Sequence, residues 1–243
     1  MSKRRSVWSV LCCLAVVMVL ASGGLALWGW LRWADAAWYY HRSADYRLRR
    51  GQQALREGNR NRAEKVGELL ATSGYADQAA LLRGEILLRQ GKALVESGQA
   101  QAAAGRLVRA IEEFNKIRDQ GQIRLQAATL SGQCLLYLKQ PREAERALRF
   151  VLDSEPNDIE AHRGLAAIYF DQGASLRALE HLQSVADLDE ADGRPYRLMG
   201  LILKDRDNYP AAIDCYRAAL GRQLGGQSAD KVRFELAECL AKL

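Results

Sequence analysis

The sequence is poor in the residues that carry catalysis, metal binding and disulfide cross-linking. It contains three histidines, and none has a second histidine or a cysteine at metal-ligand spacing. It has no phosphate-binding glycine loop and no nucleophile elbow, and its five cysteines are too few for a disulfide framework. These absences predict a protein that is not an enzyme and that takes no cofactor, no metal and no small-molecule substrate.

Proline, low-complexity tracts and charge of a single sign are also scarce. Four prolines and a 49% hydrophobic fraction exclude collagen-like and disordered classes. Residues 1–43 hold five basic side chains and one acidic one, which leaves 30 basic and 28 acidic side chains in residues 44–243. The arginine-rich stretch 42–65 is typical of a solvated helix face or of contact with anionic headgroups. No nucleic-acid partner is therefore expected.

Charge is absent from 26 consecutive residues, 6–31. At about 1.5 Å per helical residue, this segment is long enough to cross a bilayer core of about 30 Å. Three basic residues precede it, which favours a cytoplasmic N-terminus. Aromatic side chains suited to the membrane interface cluster at its far end: Trp28, Trp30, Trp33, Trp38, Tyr39 and Tyr40.

These features predict a cytoplasmic tail at 1–5, a transmembrane anchor at 6–31 that contacts the lipid bilayer, and an interfacial aromatic segment at 32–43. We expect a single-pass membrane protein whose remaining domain is extracytoplasmic, and periplasmic if the source is bacterial. The alternative is an exported soluble protein, because small residues at Ala21–Gly23 or Gly24–Ala26 could serve a signal peptidase.

From residue 44 onward apolar residues recur with helical periodicity, and three 34-residue blocks align at 125–158, 159–192 and 193–226. The eighth position of each block is small and the twentieth is alanine, whereas positions 24 and 27 are mostly large and apolar. The residues at these four positions are Gly132, Ala166 and Gly200; Ala144, Ala178 and Ala212; Leu148, Leu182 and Tyr216; and Val151, Val185 and Ala219.

This pattern resembles the tetratricopeptide repeat, in which two antiparallel helices alternate along a right-handed solenoid. The resemblance implies an all-α solenoid of antiparallel helix pairs, preceded here by one transmembrane helix. About five repeats and a capping helix would fill residues 44–243, with Val232–Leu243 as the cap. The second repeat needs an extension beyond 34 residues, and Gly91 and Gly98 are expected to mark where that extension bends.

In the family, the exposed face of the first helix of each repeat receives extended peptides or partner helices. Carried over to positions of this chain, the resemblance implies a groove formed by Gln126, Thr129, Gln133, Tyr137, Arg163, Phe170, Arg194, Arg197, Leu201 and Lys204. Its basic residues, Arg163, Arg194, Arg197 and Lys204, are suited to acidic side chains or a terminal carboxylate. The alternative is an ordinary solvated face. The asparagines of the family's carboxylate clamp are missing, so that specificity is not carried over.

The expected function is that of a membrane-tethered scaffold or adaptor that binds other proteins or peptides and assists their assembly, secretion or maturation. A self-associating structural organiser is the other candidate. Asp187–Gly193 should form a turn between repeats and not a calcium loop, His162 should be partly buried, and Cys134, Cys215 and Cys239 should be buried. The carboxylates of Glu112, Glu113, Glu143 and Glu145 should be exposed.

Overall fold

The computed structural model describes residues 43–242. This part of the chain forms eleven α-helices and one isolated β-bridge, so the predicted all-α fold is confirmed for it. The helices are α1 (Ala44–Arg56), α2 (Arg60–Thr72), α3 (Ala76–Glu96), α4 (Ala100–Asn115), α5 (Gln122–Tyr137), α6 (Pro141–Ser154), α7 (Ile159–Asp171), α8 (Ser175–Leu188), α9 (Arg194–Lys204), α10 (Tyr209–Leu220) and α11 (Gly226–Leu240).

The helices form two compact units. The first contains the packed pair α1/α2, up to Tyr75, and the second runs from Ala76 and contains α3 to α11. Within the second unit, α3/α4, α5/α6, α7/α8 and α9/α10 pack as pairs, and the second helix of each pair also contacts the helix that follows it. Stacking of this kind covers the apolar face that a single helix pair leaves open.

The same tight turn joins the two helices of all five pairs. One residue of each turn has a positive φ between 57° and 78°, at Gly58, Gly98, Lys139, Gly173 and Asp207. The amide of the next residue then donates to a carbonyl five residues back, as in Ala174 to Tyr169 at 2.8 Å. This bond closes the end of the first helix in the Schellman manner.

Small residues at position 8 make room for the large residue at position 24. A Cβ added at Gly132 would lie 2.7 Å from Leu148 Cδ2, and one added at Gly164 would lie 2.5 Å from Leu148 Cδ1. Leu148 is therefore enclosed between its own partner helix α5 and the following helix α7. Gly200 and Tyr216 make the corresponding close contact in α9/α10, at 2.7 Å.

The extension in the second repeat is helical, and the predicted bend at Gly91 is wrong. Helix α3 continues for 21 residues through Gly91 and ends before the turn at Gly98. Gly84 faces Phe114, and Gly91, two turns later, faces Leu107. Because the extra turns preserve the pairing of a glycine with a large side chain, both helices lengthen together and no bend is needed.

The end of the described chain also differs from expectation. Helix α11 begins at Gly226, six residues before the predicted cap at Val232. Between residues 43 and 242, no helix has the length and apolar character needed to cross a membrane. The predicted tail, anchor and interfacial segment lie outside the described residues, apart from Ser43, whose hydroxyl accepts from the amide of Tyr46 and caps α1.

Candidate functional site

The predicted groove residues lie on the first helices of three successive pairs. Helix α5 carries Gln126, Thr129, Gln133 and Tyr137; α7 carries Arg163 and Phe170; and α9 carries Arg194, Arg197, Leu201 and Lys204. Helix α5 contacts α7, and α9 contacts α11. We call the outward side of these helices the first-helix face.

Two of the basic residues on this face are paired with the terminal helix. Arg197 binds Glu235 with two nitrogens, Nη2 to Oε1 at 2.7 Å and Nε to Oε2 at 3.2 Å. Lys204 Nζ donates to Glu238 at 2.8 Å, and this hydrogen bond raises the pKa of Lys204. The two parallel N–H groups of the Arg197 guanidinium match the two oxygens of a carboxylate in both distance and direction. These contacts therefore hold α11 against α9.

The other two basic residues converge on one buried carboxylate. Asp192 has a side chain that is 5% exposed, and it accepts from Arg163 Nη2 at 2.8 Å and from Arg194 Nε at 2.9 Å. The backbone amide of Arg194 donates to the same carboxylate at 2.9 Å. Burial raises the pKa of Asp192, but the hydrogen bonds and charge of Arg194 and the charge of Arg163 outweigh it and hold this pKa below its usual range.

The loop that contains Asp192 is tied to the next inter-repeat loop. The amide of Gly193 donates to the Gln223 carbonyl at 3.1 Å, and the amide of Gln223 donates to the Ala191 carbonyl at 2.9 Å. The predicted turn is thus confirmed for Asp189–Gly193, whereas Asp187 and Leu188 belong to α8. Arg163, Asp192 and Arg194 therefore form a structural joint between consecutive repeats.

Carboxylates of the same chain neutralise the four basic side chains of the predicted groove. Every one of the four cations already has a carboxylate partner, and Arg163 also pairs with Glu160 and, at 3.7 Å, with Asp189. An incoming carboxylate would have to displace such a pair, although the Arg194 side chain remains 66% exposed. Charge therefore offers little net attraction for an acidic peptide at this face.

The uncharged groove residues divide into accessible and inaccessible ones. Thr129 is buried and its hydroxyl donates to the Leu125 carbonyl of its own helix, so it is not part of the exposed face. Gln133 is half-buried and donates to Glu160 at 3.3 Å. Gln126 is exposed and Leu201 half-buried. Tyr137 and Phe170, each 37% exposed, present the large apolar surface of this face.

A small cavity on this face is not indicated by the sequence pattern. It has a volume of about 170 Å³ and is lined by Arg163 and Arg194 of the predicted set together with Leu182, Val185, Pro195 and Leu198. Leu198 lies on α9 but is not one of the predicted groove residues. The cavity adds an apolar recess to the same face.

A larger hollow lies between α4, α5 and α6. It has a volume of about 630 Å³, and Phe114, Ala127, Ala128, Ala147 and Phe150 form its apolar lining. Arg124, Glu143 and Arg146 stand among its polar lining residues. No sequence motif points to it, because alanines at helical spacing are typical of ordinary packing.

Glu145 corrects the expectation that the acidic pairs are exposed. Its carboxylate is half-buried and accepts from the Tyr169 hydroxyl at 2.9 Å, while Arg149 Nη2 donates to the same hydroxyl at 2.8 Å. Glu113 is also half-buried and pairs with Lys116. The positions follow an exposed helix pattern, but neighbouring helices cover these two.

The described residues include three cysteines but no cluster of potential metal ligands. No group of three or more histidine, cysteine or acidic side chains there could hold a metal ion. Cys134 and Cys239 are buried, Cys215 is half-buried, and none of the three forms a disulfide. Burial raises the pKa of Cys134 to about 12, which keeps this thiol protonated and unreactive.

Comparison with known proteins agrees with this geometry. Residues 130–194 and 197–243 match the family model described as tetratricopeptide repeat. The solved structure of YrrB, a TPR protein with an unusual peptide-binding site, is 16% identical and covers 82% of this chain and 96% of its own, with a TM-score of 0.50. MamA from Desulfovibrio magneticus RS-1 is 22% identical and covers 73% of this chain and 93% of its own, with a TM-score of 0.49.

No curated protein matches the sequence. The similarity to YrrB concerns the fold, because the sequence identity is low. The family model covers the last pairs and α11, where the 34-residue period and the contact of a small residue with a large one are regular. The family model therefore identifies tetratricopeptide repeats in residues 130–194 and 197–243, and the stacked helix pairs that precede them share the same packing.

Proposed function

We propose that this protein is a membrane-tethered scaffold that holds partner proteins on the first-helix face and assists their assembly, secretion or maturation. The observation that carries the proposal is the combination of paired charges with accessible apolar groups on that face. Tyr137 and Phe170 are exposed on successive first helices, and the recess beside Leu198 is large enough for one apolar side chain. Surfaces of this kind bind extended segments or amphipathic helices through apolar anchors.

The four basic side chains of this face are already paired with carboxylates of the same chain, and this pairing indicates which chemical class of partner the face binds. A partner that relied on acidic side chains would gain little, because buried or half-buried ion pairs would have to be exchanged for new ones. We therefore infer recognition by aromatic or aliphatic anchors, with Gln126 supplying hydrogen bonds at the edge. YrrB is described as a peptide-binding TPR protein, and this similarity in fold supports a peptide or helix as the partner.

The test is affinity capture from membranes with the full-length protein and the variant Tyr137→Ala/Phe170→Ala. Loss of the captured partners, with circular dichroism unchanged, is the expected result. Leu176→Ala is a matched control, since Leu176 is 66% exposed but lies on α8, a second helix. Equal capture by the native protein and the double variant would reject the first-helix face as the binding surface.

Tethering and topology belong to the same proposal and rest on residues 6–31. Protease treatment of sealed, right-side-out membranes should remove a C-terminal tag and leave a small N-terminal fragment in the membrane. A protected tag would place the repeats in the cytoplasm. A full-length repeat domain recovered without the N-terminal segment in the soluble fraction would favour the exported, cleaved form.

Self-association is a second candidate, favoured by the surface of α11. Phe234 is 66% exposed and Leu240 is 48% exposed, and Ala237 lies between them at helical spacing. Another helix could cover this stripe, as helix pairs do elsewhere in the fold. Light scattering on the detergent-solubilised protein distinguishes the two candidates: a monomer at high concentration excludes self-association, whereas a dimer abolished by Phe234→Ser supports it.

A further inference from the structure

Two histidines face each other between the helices of the pair α7/α8. His162 on α7 and His181 on α8 lie with their Nδ1 atoms 2.8 Å apart. The ring centroids are 5.1 Å apart. This distance is about the 2.8 Å between the two Nδ1 atoms plus the distance from each ring centre to its own Nδ1. Both nitrogens therefore lie close to the line between the rings, as a direct N–H···N hydrogen bond requires. Two ligands of one metal ion would instead converge at an angle.

The surrounding contacts assign the protons of the neutral pair. His162 Nε2 lies 2.8 Å from the Pro156 carbonyl oxygen, which can only accept. His162 must then carry its proton on Nε2, and its Nδ1 is an acceptor. His181 is left as the donor of the shared hydrogen bond, through Nδ1–H. Pro156 thus fixes the tautomers of both rings through a single contact.

Groups from three helices act on His181. Its ring stacks on Tyr169 of α7 with centroids 5.5 Å apart, and Tyr169 is held by Glu145 and Arg149 of α6. Arg177 of α8 lies over the same tyrosine ring at 5.5 Å. Burial lowers the pKa of His181, and the charges of His162 and Arg149 lower it further, against the opposing effect of Glu180.

We propose that His162 and His181 form a proton-sensitive joint that holds α7 against α8 at neutral pH and loosens in mild acid. One added proton can enter at His181 Nε2 and leave the shared bond intact, but it brings a positive charge toward Arg149. A second added proton must enter at His162 Nδ1, where it would meet the N–H of His181. The pair therefore cannot be doubly protonated without separating.

The direction of the pH effect follows from proton counting. Because the pKa of His181 is lowered in the fold, the unfolded chain binds more protons at this residue than the folded chain does below the ordinary imidazole pKa of about 6.5. The stabilisation is therefore complete above that pH and decreases as the pH falls through and below it. Since α7 also carries Phe170 and Arg163, acid would loosen a helix of the first-helix face. The joint itself does not depend on what that face binds.

The primary test is urea unfolding of the full-length protein in detergent at about pH 7.5 and about pH 5.5, a range that spans the imidazole titration. The midpoint of the native protein should be lower at the acidic pH. His162→Ala/His181→Ala should have a lower midpoint at neutral pH but a smaller change between the two conditions. Alanine is a suitable replacement, because Ala128 and Ala147 stand at the equivalent positions of α5/α6.

The third histidine is the control, and His41→Ala should keep the pH response of the native protein. A native midpoint that is equal at both pH values, or a double variant with the full response, would overturn the proposal. A second measurement covers the case in which the double variant fails to fold. Nitrogen-15 NMR of the native imidazoles should find His162 protonated at Nε2 and His181 at Nδ1 near neutral pH, and the reverse assignment would also overturn it.

Discussion

The pairs α5/α6 and α7/α8 follow the same 34-residue plan and differ in what fills the space between their helices. At positions 4 and 23, α5/α6 has Ala128 and Ala147, whereas α7/α8 has His162 and His181. The alanines line a hollow of about 630 Å³, but the histidines are within hydrogen-bond distance of each other. Equivalent positions of one repeat therefore leave space in one pair and form a polar contact in the next.

The two pairs also differ in where their polar groups lie. Position 11 is Leu135 in α5 but Tyr169 in α7, whose hydroxyl links Glu145 and Arg149 of the preceding helix. Both pairs keep small residues at positions 8 and 20 and large apolar residues at positions 24 and 27. Stability in α5/α6 therefore rests on apolar enclosure, whereas in α7/α8 part of it depends on hydrogen bonds and on pH.

The largest effect is expected where apolar enclosure is tightest. Leu148→Ala should lower the free energy of unfolding by about 2–5 kcal/mol, because the side chain is fully buried between Gly132 and Gly164 and would leave a cavity. Leu182→Ala, at the same position of the next pair, should cost less, since Leu182 already borders a cavity of about 170 Å³. Urea unfolding measures both losses, and a larger loss for the Leu182 variant would contradict the comparison.

A smaller effect is expected from the polar network of α7/α8. Tyr169→Phe removes a hydroxyl that donates to Glu145 and accepts from Arg149, and it should cost about 1–2 kcal/mol. The cost stays moderate because Glu145 and Arg149 remain paired with each other at 2.9 Å. Double-mutant cycles with Glu145→Gln check the origin of the loss. Additive losses would mean that the hydroxyl and the carboxylate do not interact.

Much of this comparison follows from the sequence, because a fixed period identifies equivalent positions from the order of the residues alone. The period predicts Gly132, Ala166 and Gly200 as small contact positions. The close contact is confirmed at Gly132 and Gly200, and Ala166 is buried. The period does not show that the residue at position 8 is small because the large side chain at position 24 packs against it. It also places His162 and His181 at positions 4 and 23, but only the packing of α7 against α8 brings these two positions face to face.

The ionic contacts could not be predicted in the same way. Arg197 reaches Glu235 on a helix 38 residues later in the chain, and its partner depends on how α11 packs against α9. A face that is basic in sequence is therefore neutral in the fold. The uninterrupted course of α3 through Gly91 could not be predicted for a related reason. Gly91 packs against Leu107, and this contact overrides the low helix propensity of glycine.

A smaller difference in stability is expected from the turns that join the two helices of α5/α6 and of α7/α8. The left-handed residue is Lys139 in α5/α6, with φ of 59°, and Gly173 in α7/α8, with φ of 71°. A side chain in this conformation costs energy that glycine avoids. Gly173→Lys should lower the free energy of unfolding by about 1 kcal/mol and Lys139→Gly should raise it by a similar or smaller amount. Thermal unfolding of both variants tests this prediction. Changes in unfolding temperature of the same sign would contradict the proposed role of the turn.

The smallest effect is expected from the pair α9/α10, which tests whether a buried tyrosine hydroxyl stabilises the fold only when it is bonded. Tyr216 fills position 24 against Gly200, and its hydroxyl is buried with no hydrogen-bond partner in the described part of the chain. Removing an unsatisfied polar group gives up no hydrogen bond, so Tyr216→Phe should be neutral or slightly stabilising. The ring still fills the site, and the packing is kept. Urea unfolding beside Tyr169→Phe makes the comparison direct: a loss as large as that of Tyr169→Phe would show that the Tyr216 hydroxyl has a bonding partner in solution.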